Sequence, residues 1–453
     1  MQSTPVVKRV RKVIAAGAVI AAGLAFAGCS SQSASTGGTT FNPNDKSIHA
    51  TLNWDGWAPD VNQVKNYVAA FNKVYPNIKV NFKVVQYTDY AAALRPALVS
   101  GSGPDIFDLQ PGVLTQQYAQ FGVDLAPIAE KVLPGWKNKV APVGVTGLQN
   151  DGHQAALSVG SNAAGMMWYN DDLFKKYGVK PPTTLAQWVN VCSVFKSHGA
   201  TCFIQGAQDE WVNQDMIQAI ADSYSPGLFT KAVEGKVPWT NPTLESAFTT
   251  FKTLFSDGIM QSGAAGIEQY PDANNAWLAS KAAMIMMGSW NLQMVKTSTL
   301  SPQIKAAGGT GTFTALPMSF PDVAGKGNPA TLFASADYGL AVNKNSKNQE
   351  AAEDFVTWMT LSKSGQQFVA DELADTPSLK GIQPGTDGLV TPSAQTSVVK
   401  SVTADTQAAT EPREITSADL VTALGTALSS IATGQQSVSA ALTTLQSAAK
   451  AAN

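Results

Sequence analysis

The stretch Met166-Met167-Trp168-Tyr169-Asn170-Asp171-Asp172-Leu173-Phe174-Lys175-Lys176-Tyr177-Gly178-Val179-Lys180-Pro181-Pro182-Thr183-Thr184 decides the reading of the fold. Met166 to Tyr169 is an apolar run long enough for one strand, stopped by the turn formers Asn170 and Asp171. Leu173, Phe174 and Tyr177 share one face of a short helix, with Gly178 where a C-cap belongs. Pro181 and Pro182 forbid a continuing helix, and the hydroxyl of Thr184 can cap a new one. Strand, helical turn, rigid elbow and second helix fall just past the first third of the chain, where one lobe could hand over to another.

Upstream, Ile48 to Trp54 reads as an opening strand, followed by the turn Asp55-Gly56-Trp57-Ala58-Pro59. Asp60 caps a helix in which Val64, Tyr67, Val68 and Phe71 recur at helical spacing. Ile78, Val80, Phe82 and Val84 alternate with polar residues, which predicts a half-buried strand. A helix over 89–99, a Gly-rich break and a buried strand over 105–109 complete the alternation of a doubly wound α/β sheet. Downstream, helical stripes run through Leu185 to Phe195, Leu244 to Phe255, Ala352 to Met359, Leu420 to Ile431 and Val438 to Leu445. Ala282 to Met287 and Tyr338 to Val342 read as strands.

The N-terminus carries Lys8, Arg9, Arg11 and Lys12, then an apolar run from Val13 to Ala27. That run is short for a membrane span of roughly 20 residues and right for a signal-peptide core. It ends in Ala27-Gly28-Cys29-Ser30, which resembles bacterial lipoprotein signals. The resemblance implies removal of residues 1–28, a lipidated Cys29, and a body held at the outer face of the cytoplasmic membrane. No twin-arginine pair is present, so ordinary Sec export is expected. Residues 29–46 are rich in Ser, Thr, Gly and Asn and cannot bury enough apolar surface to offset chain entropy, so a flexible tether is expected. Cys192 and Cys202 remain as an even pair in an oxidising compartment. A disulfide is favoured over two buried thiols. With only 3 His in the chain, no metal site and no cofactor are expected.

Of the 453 residues, those beyond the signal are too many for one core, so two lobes are expected. Charged residues make up 14% and the net charge is −2, with no basic tract to follow a phosphate backbone. Nucleic acid is excluded as the partner.

Five stretches in order carry a family resemblance: Ser100 to Ile106; Asn150 to His153 running through Tyr169-Asn170 to Pro182-Thr183; Ala282-Ala283-Met284 to Gly288-Ser289-Trp290; Tyr338 to Val342 leading to Ala351 to Phe355; and Gly434 with Ala440 to Leu442. Together they resemble the extracellular solute-binding proteins of ABC importers, the sugar-binding group that includes maltose-binding protein. Ser280 departs from the pattern, because the group usually has Gly there. The resemblance implies a two-lobed, type II periplasmic-binding-protein-like α/β fold. Each lobe is a doubly wound sheet with helices on both faces, and the hinge has several crossings. By that analogy lobe one holds 47–160 and 325–378, and lobe two 161–324 and 379–453. It further implies a monomer that captures solute without chemistry and delivers it to permease subunits.

A sugar offers hydroxyls for hydrogen bonds and flat C–H faces for stacking, so its cleft wants Trp or Tyr beside amides and carboxylates. Trp290 follows a strand directly and matches the family's stacking Trp. Trp57 lies in a Gly/Pro turn, and Trp211 and Trp239 lie in polar stretches read as loops. Asp108 and Gln110 end the strand over 105–109, Asn162 sits at the crossover and Asp337 enters the strand over 338–342. Glu268 and Arg413 complete the candidate ligand set. Asp105 reads as structural, and Trp188, Trp277 and Trp358 as core. A neutral mono- or oligosaccharide leads, ahead of a polyol, a glycosylated metabolite or a peptide. A lipid-anchored glycoside hydrolase is the rival class, but no Gly-x-Ser-x-Gly, His-Glu-x-x-His or phosphate loop occurs. An adhesive lipoprotein is a third class, against which the tryptophans in turns argue.

Overall fold

The computed structural model describes residues 42, 43 and 45–452. The expected signal peptide, the expected lipidation site Cys29 and most of the expected tether lie outside the described residues. No helix among the described residues is long and apolar enough to cross a membrane.

The strand Met166–Asn170 is buried along its whole length and lies in a four-stranded sheet. Its neighbours are Ala315–Ser319 and Ala282–Met286, with Thr201–Ile204 beyond. The Asn170 side chain accepts from the Leu173 N–H and caps the helix Asp171–Tyr177, which ends at Gly178 in the left-handed conformation. Thr184 accepts from the Gln187 N–H and caps the helix Leu185–Ser197. Cys192 on that helix is joined to Cys202 on the adjacent strand by a disulfide, with Cα atoms 4.9 Å apart. Ser280 has φ +56°, the conformation for which Gly is the usual residue, and its hydroxyl accepts from Asn170 Nδ2 at 3.1 Å.

The other large sheet runs Ile78–Val84, Ala50–Gly56, Ile106–Leu109, Gly339–Val342, Leu157–Ser158. Its first three strands are parallel and the last two pairings antiparallel. Asp60 and Gln63 form a reciprocal capping box on the helix Val61–Phe71. Asp105 accepts from the Asn53 N–H and the Ser346 hydroxyl, tying loops on the far side of the sheet.

The central strands of both sheets bury apolar residues on both faces, and alternate residues there feed separate cores, whereas Ala50–Gly56 and Ile78–Val84 toward the edge of the first sheet turn polar residues to solvent. Met167, Phe203 and Met284 point into one core, whereas Trp168, Ile204 and Ile285 point into another. Around the first sheet, Leu52, Trp54 and Ile106 join one core while Phe107, Leu109 and Ala341 join the opposite one. Near-continuous apolar strands with helices over both faces are what a doubly wound sheet requires. The molecule is therefore two-lobed α/β, one such sheet to each lobe. Trp188 and Trp277 are core, as their helical stripes predict.

A third sheet, Thr376–Pro377, Gly160–Ala164, Phe333–Ala336, Glu411–Pro412, links the lobes. Gly160–Ala164 leaves the first sheet and enters the second within a few residues, and Phe333–Ala336 makes the return pass. The sequence reading assigned no strand to either segment. Gly-Ser-Asn-Ala-Ala carries no apolar alternation, because small side chains suffice where chain passes crowd together.

Candidate functional site

One wall of the cleft is organised by a carboxylate. The strand Ala50–Gly56 ends at a glycine because a Cβ there would lie 2.2 Å from the Asp108 carboxylate. That carboxylate accepts from Trp54 Nε1 at 2.8 Å and from the Trp57 and Ala58 N–H groups at 3.1 and 3.4 Å. Asp108, expected among the ligand contacts, is 0% exposed and is not among the residues that line the cleft cavity; it fixes the turn that carries Trp57. Burial pushes its carboxyl well above the ordinary range, against the pull of those three donors. The Trp57 ring packs edge-on against Tyr90, Tyr87 and Tyr338, with centroids 4.9, 5.6 and 6.0 Å away. The Tyr87 hydroxyl donates to Gln110 Oε1 at 2.5 Å.

The facing wall is organised by an ion pair. Trp290 follows the strand Ala282–Met286 and folds back over Gly288, where a Cβ would sit 2.1 Å from the indole. Trp290 Nε1 donates to the Tyr270 hydroxyl at 3.1 Å. Tyr270 lies near-parallel to Trp211, with centroids 6.2 Å apart and planes 15° off. The Arg413 guanidinium lies 4.8 Å from the Trp290 ring and 5.8 Å from Trp211. Its Nε and Nη2 each donate to Asp215 at 2.9 Å, and Nη1 reaches Glu414 at 3.3 Å. Arg413 is only 7% exposed. Burial disfavours its charge, but Asp215 and Glu414 outweigh that and hold the guanidinium protonated.

Between the walls, Asn162 Nδ2 donates to Asp337 at 2.5 Å. Asp337 also hydrogen-bonds the neighbouring Asp375. Burial raises both carboxyls; Arg413 pulls Asp337 back, whereas Asp337 pushes Asp375 further up. Of the two, Asp375 is therefore raised from both sides, by burial and by Asp337.

Trp57, Gln110, Asn162, Asp337, Trp211, Trp290 and Arg413 all line one cavity of about 570 Å³. That volume is in the range of sites for drug-sized ligands. Trp211 is not on a loop, as expected from its polar neighbours, but on the first turn of the helix Glu210–Tyr224. Trp239, expected at the site, is 1% exposed and packed edge-on against Phe229 and Phe248 in the core. Glu268 pairs through its backbone with Ala207 and does not line the cavity. Tyr87, Tyr270 and Asp375 line it without having been anticipated. The rule that singles out aromatics in polar stretches applies to the two tyrosines as well as to tryptophan. Asp375 offers no such signal.

Comparisons with known proteins agree with this architecture. The profile described as bacterial extracellular solute-binding protein matches residues 57–366. The multiple sugar-binding protein of Streptococcus mutans is 26% identical over 323 residues, covering 68% of this chain and 71% of the relative. An uncharacterized ABC transporter extracellular-binding protein of Pyrococcus horikoshii is 23% identical over 240 residues, a match that spans 54% of its length. The maltose-bound MalE3 structure of T. maritima superposes with a TM-score of 0.71 at 18% identity, covering 88% of this chain and 99% of that one, a likeness of fold. With more than half of its length matched by that profile, the chain belongs to the bacterial extracellular solute-binding protein family.

Proposed function

We propose that the protein captures a neutral saccharide between its two lobes and hands it, chemically unchanged, to an ABC permease. The observation that carries this reading is the cleft itself. Two aromatic walls face each other across about 570 Å³, with an amide and carboxylates between them. Aromatic faces suit the C–H faces of a sugar ring, and Asn162, Asp337 and Gln110 suit its hydroxyls. The relative in Streptococcus mutans, a multiple sugar-binding protein by name, supports the same class.

Capture without chemistry is favoured over hydrolysis. Asp337 and Asp375 are hydrogen-bonded to each other, whereas a glycosidase pair stands about 5 Å or more apart with the scissile bond between. The lobes, 47–160 with 325–378 and 161–324 with 379–453, pivot about the linking sheet. Ligand favours the closed form only through its greater affinity for that form. A lipid on Cys29 and a tether to residue 46 keep the monomer at the outer face of the membrane, within reach of the permease.

The test is a thermal-shift and tryptophan-fluorescence titration of the chain from Ser30 onward against neutral saccharides, polyols and peptides. A ligand at 100 times its Kd stabilises the folded state by about 2.7 kcal/mol, a clear rise in midpoint. Saturable binding of a saccharide without turnover supports the reading. A response confined to polyols or peptides overturns the sugar assignment, and turnover overturns the capture mechanism.

A further inference from the structure

A short relay of polar groups runs from one aromatic wall of the cleft to the other. Asp60 follows the Trp57 turn and caps the helix Val61–Phe71. Its N–H donates to Gln63 Oε1 at 3.0 Å. Gln63 Nε2 donates to Gln293 Oε1 at 3.2 Å, and Gln293 Nε2 donates to the Trp290 carbonyl at 3.1 Å. Gln63 is 4% exposed, and both glutamines line the cleft cavity. The direction of the relay is fixed at its ends. A backbone N–H can only donate and a carbonyl can only accept, so the two amides between them must point the same way. Turning either amide over sets donor against donor at one contact and acceptor against acceptor at the other. The capping box uses only the oxygen of Gln63, and the amide N–H₂ gives its bond across the cleft.

We propose that Gln63 and Gln293 are positioning residues that couple the two walls. The contact between them biases the lobes toward closure and holds the Trp290 backbone in place from the opposite lobe. This rests on the closing of two lobes proposed above, not on the identity of the solute. A bond made only with the lobes together shifts their equilibrium by its own free energy, whatever else binds. The relay ends on the carbonyl of Trp290 and leaves its ring to Tyr270 and Arg413. It therefore sets where that residue sits and not how its indole turns.

The experiment is double electron–electron resonance on the chain from Ser30 onward, without solute. Spin labels are attached through Lys65→Cys and Lys305→Cys, exposed positions on helices of opposite lobes. Wild type gives a short-distance, closed population beside a longer, open one. Gln63→Glu keeps the oxygen that the capping box needs and loses the donor, whereas Gln293→Ala loses the acceptor. At neutral pH each lowers the closed-to-open ratio about fivefold, equivalent to about 1 kcal/mol. Combined, they lower it no further than the larger single effect, because both remove the same contact. As pH falls through the ordinary glutamate range, about 4.3, the new carboxyl regains a proton to donate. The Gln63→Glu ratio then returns toward that of wild type at the same pH, and the Gln293→Ala ratio does not. A wild-type chain without the closed population, distances unchanged in both variants, additive losses or no acid rescue each overturn the relay. With these shifts intact, silence toward every saccharide in the titration above overturns the saccharide reading alone.

Discussion

On the wall that carries Trp290, the Arg413 guanidinium lies against Trp211 and Trp290, and Tyr270 joins the two by lying alongside Trp211 and accepting from Trp290 Nε1. On the wall that carries Trp57, the rings lean on one another edge-to-face, and a buried carboxylate holds the backbone of the turn and the indole of Trp54 in the strand beneath it, not the Trp57 ring. In the first wall the charge touches the rings. In the second it touches the loop beneath them. Orientation of Trp290 thus depends on the Arg413–Asp215 ion pair, whereas orientation of Trp57 depends on packing against Tyr90 and Tyr338. The two walls should fail differently when their organising acid is removed.

The largest effect is expected from Asp215→Ala. It leaves Arg413 buried with Glu414 as its remaining ion-pair partner among the described residues, and breaking one partner of a buried pair costs about 3–5 kcal/mol. Urea unfolding should register that loss, with most of it recovered in the double variant Asp215→Leu, Arg413→Met. A loss within the scatter of surface substitutions would mean that the ion pair does not organise the wall. Asp108→Ala comes next, at about 1–3 kcal/mol, because it strands Trp54 Nε1 and two N–H groups in a dry site. The comparison sharpens in the near-ultraviolet dichroism of the tryptophans. Signal from the Trp290 wall should change in the Asp215 variant and persist in the Asp108 variant.

Binding separates the walls further. Trp290→Ala removes a ring fixed in advance by Tyr270 and Arg413 and should weaken saccharide binding by about 1–3 kcal/mol. Trp57→Ala should cost about 0.5–1.5 kcal/mol, because its ring, held on a fixed turn by packing alone, must also settle against the ligand. Calorimetry of the two variants decides the order. Equal losses would erase the distinction between a preorganised wall and an adjustable one.

How much of this could be read from the chain follows the same divide. The α/β pattern and the two sheets were legible because their strands and helices are long, apolar and periodic. Trp57 and Trp290 were legible because each follows a strand end, where open sheets meet their ligands. Arg413 was only a loose candidate, because nothing local marks it. Its meaning comes from Asp215, 198 residues away in sequence. The linking strand Gly160–Ala164 was missed because close-packed chain passes select small residues that imitate a loop. Trp239 misled because a tryptophan in a polar stretch can turn inward when neighbouring helices supply the pocket, here with Phe229 and Phe248. Asp108 misled for a related reason. A carboxylate at a strand end has backbone donors within reach as well as solute.

The smallest expected effect lies in the pH profile of the charged wall. Glu414 sits beside Arg413 with its carboxyl raised to about 7, mainly by burial, with Arg413 pulling the other way. A raised carboxyl means that the folded chain holds a proton the unfolded chain has released. Its contribution is therefore fully present below the ordinary glutamate range and is lost as pH rises through about 7. Glu414→Gln cannot ionise and keeps an oxygen to accept from Arg413 Nη1. The variant should gain stability relative to wild type as pH climbs from about 4.5 to 7, with the difference levelling off above that. The side chain keeps about 20% of its surface in water, which moderates the size of the gain. Thermal midpoints of both proteins across that window measure it. Parallel curves would mean that Glu414 ionises in the folded protein as it does in water, and that Asp215 alone carries the electrostatics of the Trp290 wall.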